Sequence, residues 1–218
     1  MPGLNLYTYF RSSAAYRVRI ALNLKNLDYK PHFVHLLQQG GQQHHDAYLE
    51  LNPQGLIPAL VTDNGDTLTQ SLAIIEYLDE TYPEPPLLPT PLSARALVRS
   101  LALTVCCDIH PLNNLRVHSY LKQVLKTNDG ERQAWYQHWI HEGLTALEKR
   151  LNAQGHGSLF CYGDTPTIAD LCLIPQLYNA QRFDCDLSAY PTLRKINTHC
   201  MELRAFTKAA PENQPDHE

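Results

Sequence analysis

The first part of the chain alternates between apolar runs that predict strands and a segment whose apolar residues recur with a helical period. Residues 4–10 mix aliphatic, aromatic and β-branched side chains, which is typical of a strand. The polar-to-small stretch at residues 11–15 can begin a helix, which continues over residues 16–25. Residues 29–37 are again rich in aromatic and aliphatic side chains. The pattern therefore predicts a β-α-β unit.

The predicted helix has one apolar stripe, formed by Val18, Ala21 and Leu22. Arg17 and Arg19 lie off this stripe. On this pattern the two arginines do not belong to the apolar face of the helix.

A hairpin is predicted after a polar, irregular segment at residues 38–52. Residues 58–62 have the composition of a strand, and residues 67–69 form its return strand. The sequence Asp-Asn-Gly-Asp at residues 63–66 lies between them. Asn-Gly tolerates the positive φ angles of a two-residue turn, so the prediction is a tight hairpin.

A second helix follows the hairpin. Ser71 is in a position to cap it, its apolar residues run over 72–78, and it is expected to end before Pro83 because the residue preceding a proline disfavours helical geometry. The order β-α-β and then β-β-α matches a thioredoxin-like domain.

The remainder of the chain shows only helical patterns. Thr167 and Asp170 have the spacing of a capping box, and the tail after Pro211 is polar and expected to be loose. The predicted fold is an α/β thioredoxin-like N-terminal domain plus an all-α C-terminal domain. The expected division is residues 1–83 for the first domain, a proline-rich linker at 84–91, and residues 92–218 for the second. The helices are predicted at residues 93–108, 113–125, 131–151, 168–182 and 193–206.

Composition and charge exclude several classes of protein. Of the 218 residues, 44% are hydrophobic and 18% are charged, which is typical of a chain with real cores. The net charge is −4 with no basic stripe, so a nucleic-acid partner is not predicted. Residues 1–5 lack the features of a secretory signal, and no apolar run approaches the ~20 residues of a membrane span. A soluble, cytoplasmic protein is the expectation.

Cysteines and histidines do not indicate a metal or dithiol site. None of the six cysteines lies in the first hundred residues, and no C-x-x-C pair occurs. His138 and His141 are three residues apart, but they do not form an H-E-x-x-H pattern. We therefore interpret the histidines as surface or packing residues and predict no metal.

Three local features could carry chemistry. Arg11, Ser12 and Ser13 occupy a strand-to-helix turn, where free N–H groups and the helix dipole favour an anion and would lower the pKa of a thiol. The alternative is that a serine only caps the helix. Ile57-Pro58 precedes a strand; a cis peptide there would expose a backbone edge to an extended peptide, although proline is also simply permitted at that place.

The third feature is Gln70-Ser71 at a helix start, whose N–H groups could bind a carboxylate; the alternative is again a simple cap. Each feature alone is weak. Together, on one thioredoxin-like domain, they describe a site for a short, acidic, thiol-bearing peptide.

The sequence resembles the zeta class of glutathione transferases, the family of maleylacetoacetate and maleylpyruvate isomerases. The block SSAAYRVRIAL at residues 12–22 is the most specific part of the resemblance, and Gln-Ser at a helix start is shared by most glutathione transferases. The similarity covers nearly the whole chain. Its other stretches are residues 9–11, 40–43, 51–54, 70–78, 108–115, 163–171, 181–183 and 210–216.

The resemblance implies glutathione as the cofactor and assigns a place to each candidate residue. Ser12, as first choice, and Ser13 would face the sulfur. The cysteinyl backbone would pair with Ile57 and Pro58, and Gln43 would reach the glycyl end. The γ-glutamyl carboxylate would be held by Gln70 and Ser71. The remaining cofactor-binding candidates are Arg17, His110 and Asn114.

The resemblance also implies the reaction, a cis–trans isomerisation in which a thiolate adds to a conjugated double bond, the bond rotates, and the thiolate leaves. A small dicarboxylate substrate would need cations, because the planar donors of arginine match carboxylates. We expect Arg11, Arg116 and Arg182 to form this clamp, with His110 lining the site, and Arg11, Ser12 and Ser13 to be catalytic. A surface ion pair is the alternative for each arginine.

One position departs from the family pattern. The family motif commonly reads Ser-Ser-Cys, and this chain has Ala14 in the place of the cysteine. A protein thiol therefore cannot act there, which leaves the sulfur of glutathione as the nucleophile. Tyr7 and Tyr9 are further candidates for a thiolate donor, but they lie in the strand and rank below Ser12.

Two other functions stay open on the sequence. A general glutathione transferase that conjugates or dehalogenates small electrophiles would use the same thiolate. A non-catalytic scaffold with this fold would be expected to lose the glutathione-binding residues, which are present here. The resemblance further implies a homodimer.

Overall fold

The computed structural model describes residues 3–153 and 158–218. Of the N-terminal residues considered above for a secretory signal, the first two lie outside the described residues. The chain forms two compact units, one of residues 1–87 with 201–218 and one of residues 88–200. No helix in the described part of the chain is both long and apolar enough to cross a bilayer.

The first unit contains a mixed sheet of four strands. They are β1 (Leu4–Thr8), β2 (Tyr29–Phe33), β3 (Ala59–Val61) and β4 (Thr67–Thr69). Their order in the sheet is β2-β1-β3-β4, which is the predicted thioredoxin-like order. β1 pairs in parallel with β2 and antiparallel with β3, and β3 pairs antiparallel with β4.

The helix α1 (Ser13–Leu24) connects the two parallel strands, and both of its arginines are buried. Arg17 is 2% exposed and Arg19 is 1% exposed. Both side chains are therefore buried, although neither belongs to the apolar stripe. The reason is that α1 packs on two sides, against α3 (Ser71–Thr81) and against α9 (Arg204–Ala209). A helix enclosed on two sides buries polar positions as well as apolar ones, and a buried donor that has no acceptor is costly.

The hairpin between β3 and β4 is confirmed, but its turn is longer than predicted. Val61 pairs with Thr67, and the Thr62 amide donates to the Asp66 carbonyl at 2.9 Å, which leaves residues 63–65 in the loop. Gly65 alone in this loop has a positive φ, of 88°. A loop with a single left-handed residue next to its return strand is the three-residue type, so one glycine suffices.

Residues 38–52 are less irregular than the sequence indicates, because they contain two 3-10 turns, at Gln38–Gly40 and Gln42–His44, and the short helix α2 (Asp46–Leu49). The helix α3 ends at Thr81, as predicted from Pro83. Its N-cap is Gln70 and not Ser71, which is the first helical residue. The end of α1 is tied to this region by the Lys25 ammonium, which donates to Asp79 at 2.6 Å.

The second unit is helical throughout its described secondary structure. The predicted helix at 93–108 is divided into α4 (Leu92–Leu103) and a π-helical turn at Thr104–Ile109, which leads into a 3-10 turn at His110–Asn113. The helix α7 (Ile168–Arg182) begins and ends as predicted and has the predicted capping box of Thr167 with Asp170. The remaining helices are α5 (Leu115–Gln123), α6 (Asp129–Ala153) and α8 (Pro191–Glu202).

Residues 201–218 differ from the prediction in two respects. They belong to the first unit and not to the helical one, and the predicted helix at 193–206 is interrupted at Leu203, the N-cap of α9. The tail after Pro211 is not loose, because a 3-10 turn at Pro211–Asn213 and several side-chain hydrogen bonds hold it. α9 meets α1 through the Tyr16 hydroxyl, which donates to the Phe206 carbonyl at 3.3 Å.

Candidate functional site

The turn between β1 and α1 presents Ser12 as the N-cap of the helix. Its backbone is extended (φ −72°, ψ 112°), and its hydroxyl oxygen accepts a hydrogen bond from the Ala15 amide at 3.2 Å. A hydroxyl that accepts through a lone pair still has its proton to donate. The capping role and the thiolate-donor role, which were alternatives on the sequence, are therefore compatible in one side chain.

The neighbours of Ser12 differ in exposure. Arg11 is exposed and its guanidinium lies 4.8 Å from the centre of the Phe10 ring, while Ser12 is half-buried. Ser13 is buried and is the first residue of α1. Of the two serines, Ser12 is thus the one with a surface available to a ligand.

The two tyrosines of β1 are engaged in packing. Tyr7 stacks on His32, with ring centres 4.7 Å apart, and Tyr9 is 3% exposed. The Tyr9 hydroxyl lies 3.4 Å from His35 Nε2. This agrees with ranking both tyrosines below Ser12.

The peptide bond between Ile57 and Pro58 is cis. The carbonyl of the preceding residue, Leu56, accepts hydrogen bonds from the Tyr48 hydroxyl and from the Asn52 amide, both at 2.6 Å. Burial raises the pKa of Tyr48 to about 12, so this hydroxyl keeps its proton and remains a donor at neutral pH. The chain that enters β3 is fixed by these two bonds.

The start of α3 combines an unusual backbone with a buried cation. Gln70 has a left-handed φ of 67°, and its side-chain amide donates to Gln54 Oε1 at 3.0 Å. The Ser71 hydroxyl accepts from Arg17 Nη1 at 3.1 Å. The other two donor nitrogens of Arg17, Nε and Nη2, are buried and have no acceptor in the described part of the chain.

Gln43 is also buried with an unused polar atom. Its side-chain nitrogen donates to the Leu36 carbonyl at 3.4 Å, while Oε1 has no partner among the described residues. An unused acceptor suits a peptide N–H, and unused guanidinium donors suit a carboxylate. The atoms left over in this unit therefore fit a ligand that carries both groups, as glutathione does.

The other candidates lie on the helical unit, near the start of α5. His110 begins the 3-10 turn before this helix, and Asn114 is the N-cap, where its side chain accepts from the Arg116 amide at 3.1 Å. Arg116 itself is exposed. The turn is attached to α6, because the Trp135 indole donates to the Leu112 carbonyl at 2.8 Å and Asn113 donates to the Tyr136 carbonyl at 3.2 Å.

Arg182 lies at the end of α7, with its guanidinium 4.7 Å from the centre of the Phe183 ring. Phe183 in turn stacks on Tyr136 of α6, with ring centres 3.7 Å apart, and the tilted ring of His118 lies against both. Sequence reasoning identified Arg182 and missed this aromatic support, since the three rings come from α5, α6 and the residue that follows α7.

No group of three or more metal-binding side chains occurs among the residues that the structure describes. His141 Nδ1 lies 2.9 Å from the Tyr190 hydroxyl, and the His138 ring packs edge-on against Trp139. Both histidines are therefore part of the packing of α6.

Comparison with known proteins gives the family. The models of the N-terminal and C-terminal domains of glutathione S-transferase match residues 6–86 and 129–196. The probable maleylacetoacetate isomerase of Vibrio cholerae is 52% identical over 99% of this chain and 99% of its own length. This chain belongs to the zeta-class glutathione transferases.

Solved structures of the class have the same fold. A bacterial maleylpyruvate isomerase described as a zeta-class glutathione S-transferase is 43% identical, with a TM-score of 0.94 over 98% of this chain and 100% of that one. The maleylacetoacetate isomerase of Methylobacterium extorquens AM1, solved with malonate and glutathione, is 42% identical, with a TM-score of 0.94 over 98% of this chain and 99% of that one. The predicted fold class and the resemblance to zeta-class transferases are thereby confirmed.

Proposed function

We propose that this protein is a glutathione-dependent cis–trans isomerase of maleylacetoacetate or maleylpyruvate. The observation that carries the proposal is the start of α3 in a zeta-class chain, where a buried arginine keeps two donors unused beside a helix N-terminus. Relatives with this fold are isomerases of these two substrates, and one was solved with glutathione and a dicarboxylate, malonate. A chain that had become a scaffold would have no reason to keep an unpaired buried cation, because such a group is destabilising without its anion.

When bound, glutathione supplies the thiolate that adds to the cis double bond and leaves after rotation about it. Ser12 donates its hydroxyl proton toward the sulfur while its oxygen continues to cap α1. The N–H groups at the start of α1 add the positive end of the helix dipole, and both effects lower the pKa of a thiol held there. No protein thiol takes part at this turn, because residue 14 is alanine.

The rest of the first unit holds the peptide. The γ-glutamyl carboxylate is bound by Gln70, Ser71 and Arg17. Arg17 fixes the Ser71 hydroxyl by a hydrogen bond and also places its positive charge next to the carboxylate. Ile57 and Pro58 offer the backbone at the entrance to β3, and Gln43 accepts from an N–H toward the glycyl end. Ser13 supports the turn from a buried position.

Substrate carboxylates and the enolate that forms on addition require cations. We assign this role to Arg11, Arg116 and Arg182, with His110 and Asn114 lining the site. Arg11 and Arg182 each lie over the ring of the following or preceding aromatic residue, a contact that uses none of the guanidinium N–H donors. Both are thus prepared for a bidentate contact.

The biological setting belongs to the same proposal. An isomerase of maleyl intermediates serves the breakdown of tyrosine, phenylalanine and related aromatic compounds. We further propose a homodimer in the cytoplasm, on the family resemblance.

Ultraviolet-monitored isomerisation of maleylacetoacetate and of maleylpyruvate, each with and without glutathione, tests the proposal. We expect turnover that requires glutathione without consuming it, and a preference that identifies the substrate. Arg116→Ala should raise KM for the substrate, whereas Arg194→Ala, which removes an exposed arginine of α8 with no assigned role, should not. If neither substrate turns over while an aromatic electrophile is conjugated, the protein is a general transferase; if glutathione does not bind, it is a scaffold.

A further inference from the structure

The turn that carries Arg11 and Ser12 is held by a residue from the far end of the sequence. β1 ends at Thr8, and the Phe10 amide, two residues before Ser12, donates to Asp216 Oδ2 at 2.9 Å. The two residues are 206 positions apart. A backbone N–H that has left its strand is thus satisfied by a carboxylate, which makes a charge-assisted and therefore stronger hydrogen bond.

The same residue is held from its carbonyl side by Arg19. The Phe10 carbonyl accepts from Arg19 Nη2 at 3.1 Å, and Arg19 Nη1 donates to Thr8 Oγ1 at 3.0 Å and to the Tyr9 carbonyl at 3.3 Å. Arg19 is buried, and its Nε donates to the Ala209 carbonyl at 3.0 Å. The two Nη nitrogens of this guanidinium therefore hold residues 8–10, while Nε connects the same side chain to the end of α9.

The segment that carries Asp216 is itself anchored on both sides. Before it, the Gln214 side chain donates to the carbonyls of Lys208 and Ala210 at 2.9 and 3.0 Å. After it, the His217 ring packs edge-on against Phe10, with ring centres 5.2 Å apart. Glu218 lies 3.0 Å from His35 Nε2 and accepts from Gln38 at 2.8 Å. The segment around Asp216 is therefore held in one conformation, and this conformation places the Asp216 carboxylate beside the Phe10 amide.

We propose that Asp216 is a positioning residue of the active site, which acts through the Phe10 amide to fix the Arg11–Ser12 turn. The functional part of this inference rests on the function proposed above. Asp216 binds the N–H of the Tyr9–Phe10 peptide, and Arg19 binds the carbonyl of the same peptide. Arg19 also binds the carbonyl of the next peptide, Phe10–Arg11, so the two peptide planes that lead to Arg11 are both fixed. The hydroxyl of Ser12 can then lower the pKa of a thiol efficiently only while this orientation holds, because catalytic donors must be placed within a fraction of an ångström.

The test compares Asp216→Ala and Asp216→Asn with wild type. Glu212→Gln serves as the control, since it removes an exposed carboxylate from the same segment. Four quantities are measured: kcat, KM for glutathione, the pH at which the ultraviolet absorbance of bound thiolate appears, and the thermal unfolding temperature. Deuterium exchange of peptides that contain the Phe10 amide is followed on the ligand-free proteins.

For Asp216→Ala we expect kcat to fall roughly tenfold, with KM for glutathione changed less than about threefold. The thiolate titration should move to higher pH and the Phe10 amide should exchange faster, in a protein that still unfolds cooperatively. Asp216→Asn should recover most of kcat, because its amide oxygen can still accept from Phe10. Glu212→Gln should match wild type.

Two outcomes would overturn the inference. One is wild-type kcat, titration and exchange in Asp216→Ala. The other is a loss of kcat that Asp216→Asn fails to recover, which would attribute the effect to the charge near Arg19 and not to the hydrogen bond. If the wild type neither binds glutathione nor isomerises, the proposed function fails by itself, while the exchange of the Phe10 amide still decides whether Asp216 holds the turn.

Discussion

Arg17 and Ser71 are 54 residues apart in sequence and meet at the start of α3, where Arg17 Nη1 donates to the Ser71 hydroxyl at 3.1 Å. Among the described residues this is the only hydrogen bond of a guanidinium that is 2% exposed, because Nε and Nη2 have no acceptor there. Arg19, two residues on, is equally buried but uses all of its nitrogens. The two arginines of one helix therefore have opposite effects on the stability of the ligand-free protein. Arg19 stabilises the fold, whereas Arg17 is destabilising until an anion binds to its free donors.

Replacing each arginine with methionine should separate these roles. We expect Arg19→Met to lower stability by ~3 kcal/mol or more, because several buried carbonyls lose their donors. Arg17→Met should leave the ligand-free protein as stable as wild type or more stable, since an unpaired buried charge is removed. Thermal unfolding with and without saturating glutathione measures both effects.

The same experiment also measures how strongly glutathione stabilises each variant. Glutathione should raise the unfolding temperature of wild type strongly and that of Arg17→Met much less, because binding to the native state stabilises it by an amount that grows with the logarithm of the ligand concentration divided by Kd. Equal destabilisation by the two substitutions would contradict a ligand-binding role for Arg17.

The two functions of Ser12 can be distinguished by Ser12→Asp and Ser12→Ala. Aspartate caps helices as well as serine does, so Ser12→Asp should unfold close to wild type, whereas Ser12→Ala should lose ~1 kcal/mol. The two variants should not rank in the same order in catalytic activity as they do in stability. Ser12→Asp should be at least as impaired as Ser12→Ala, because a carboxylate beside the sulfur raises the pKa of the thiol.

Chemical denaturation gives the stability of these variants, and thiolate absorbance against pH gives the pKa of bound glutathione. A Ser12→Asp protein with the kcat of wild type would exclude Ser12 as the thiolate donor. A fall in kcat that follows the loss of stability in both variants would leave only the capping role.

Gly143 on α6 is required by the side chain of Ile109, the residue before His110. A Cβ at position 143 would lie 2.2 Å from Ile109 Cδ1 and Cγ1, which is far inside van der Waals contact. Gly143→Ala should therefore destabilise by ~1–3 kcal/mol through overpacking, although alanine is the better helix former by about 1 kcal/mol. Urea unfolding measures the difference.

Two further variants check the cause. In the Ile109→Ala background, Gly143→Ala should cost less stability than it does in wild type, because the clash is relieved. Gly130→Ala at the first turn of α6 meets only Asn128 Oδ1 at 3.3 Å and should have a small effect. A Gly143→Ala protein more stable than wild type would show that α6 can shift away from the turn before His110.

The stability of the protein should depend on pH through His118. Burial, and secondarily the positive charge of Arg132, lowers the pKa of His118 below its ordinary value, and its Nε2 is buried without a partner in the described part of the chain. Between the folded pKa and the ordinary value of about 6.5, the unfolded chain binds a proton that the folded chain does not. Stability therefore rises with pH in this window and falls on acidification.

The comparison is between wild type and His118→Gln in thermal unfolding at pH 7.5 and pH 5.5. We expect the variant to lose less stability on acidification than wild type. Some dependence should remain in both, because burial also lowers the pKa of His32. Identical pH slopes would show that His118 is protonated as easily in the folded state as in the unfolded one.

Local chemistry made much of the fold predictable from the sequence. The alternation of apolar residues gave the strand and helix order of the first unit, Asn64-Gly65 indicated the hairpin, and Thr167 with Asp170 predicted the start of α7, where the Asp170 carboxylate accepts from the Thr167 amide at 2.8 Å. These features depend on neighbours in sequence, for which periodicity and capping rules hold. The same reasoning located Ser12 and Gln70 at helix starts.

The sequence by itself therefore determined the two kinds of domain, the helix N-termini that can hold an anion, and the family to which these residues belong. Tertiary structure alone decided the burial of Arg17 and Arg19, the return of residues 201–218 to the first unit, and the contact of Asp216 with Phe10. Each of these is set by partners that lie far away along the chain. The position of a polar side chain in the sequence does not show whether a distant carbonyl, hydroxyl or carboxylate will come within hydrogen-bonding distance of it. The presence or absence of such a partner decides whether the side chain faces solvent, fixes the backbone or keeps a donor free for a ligand.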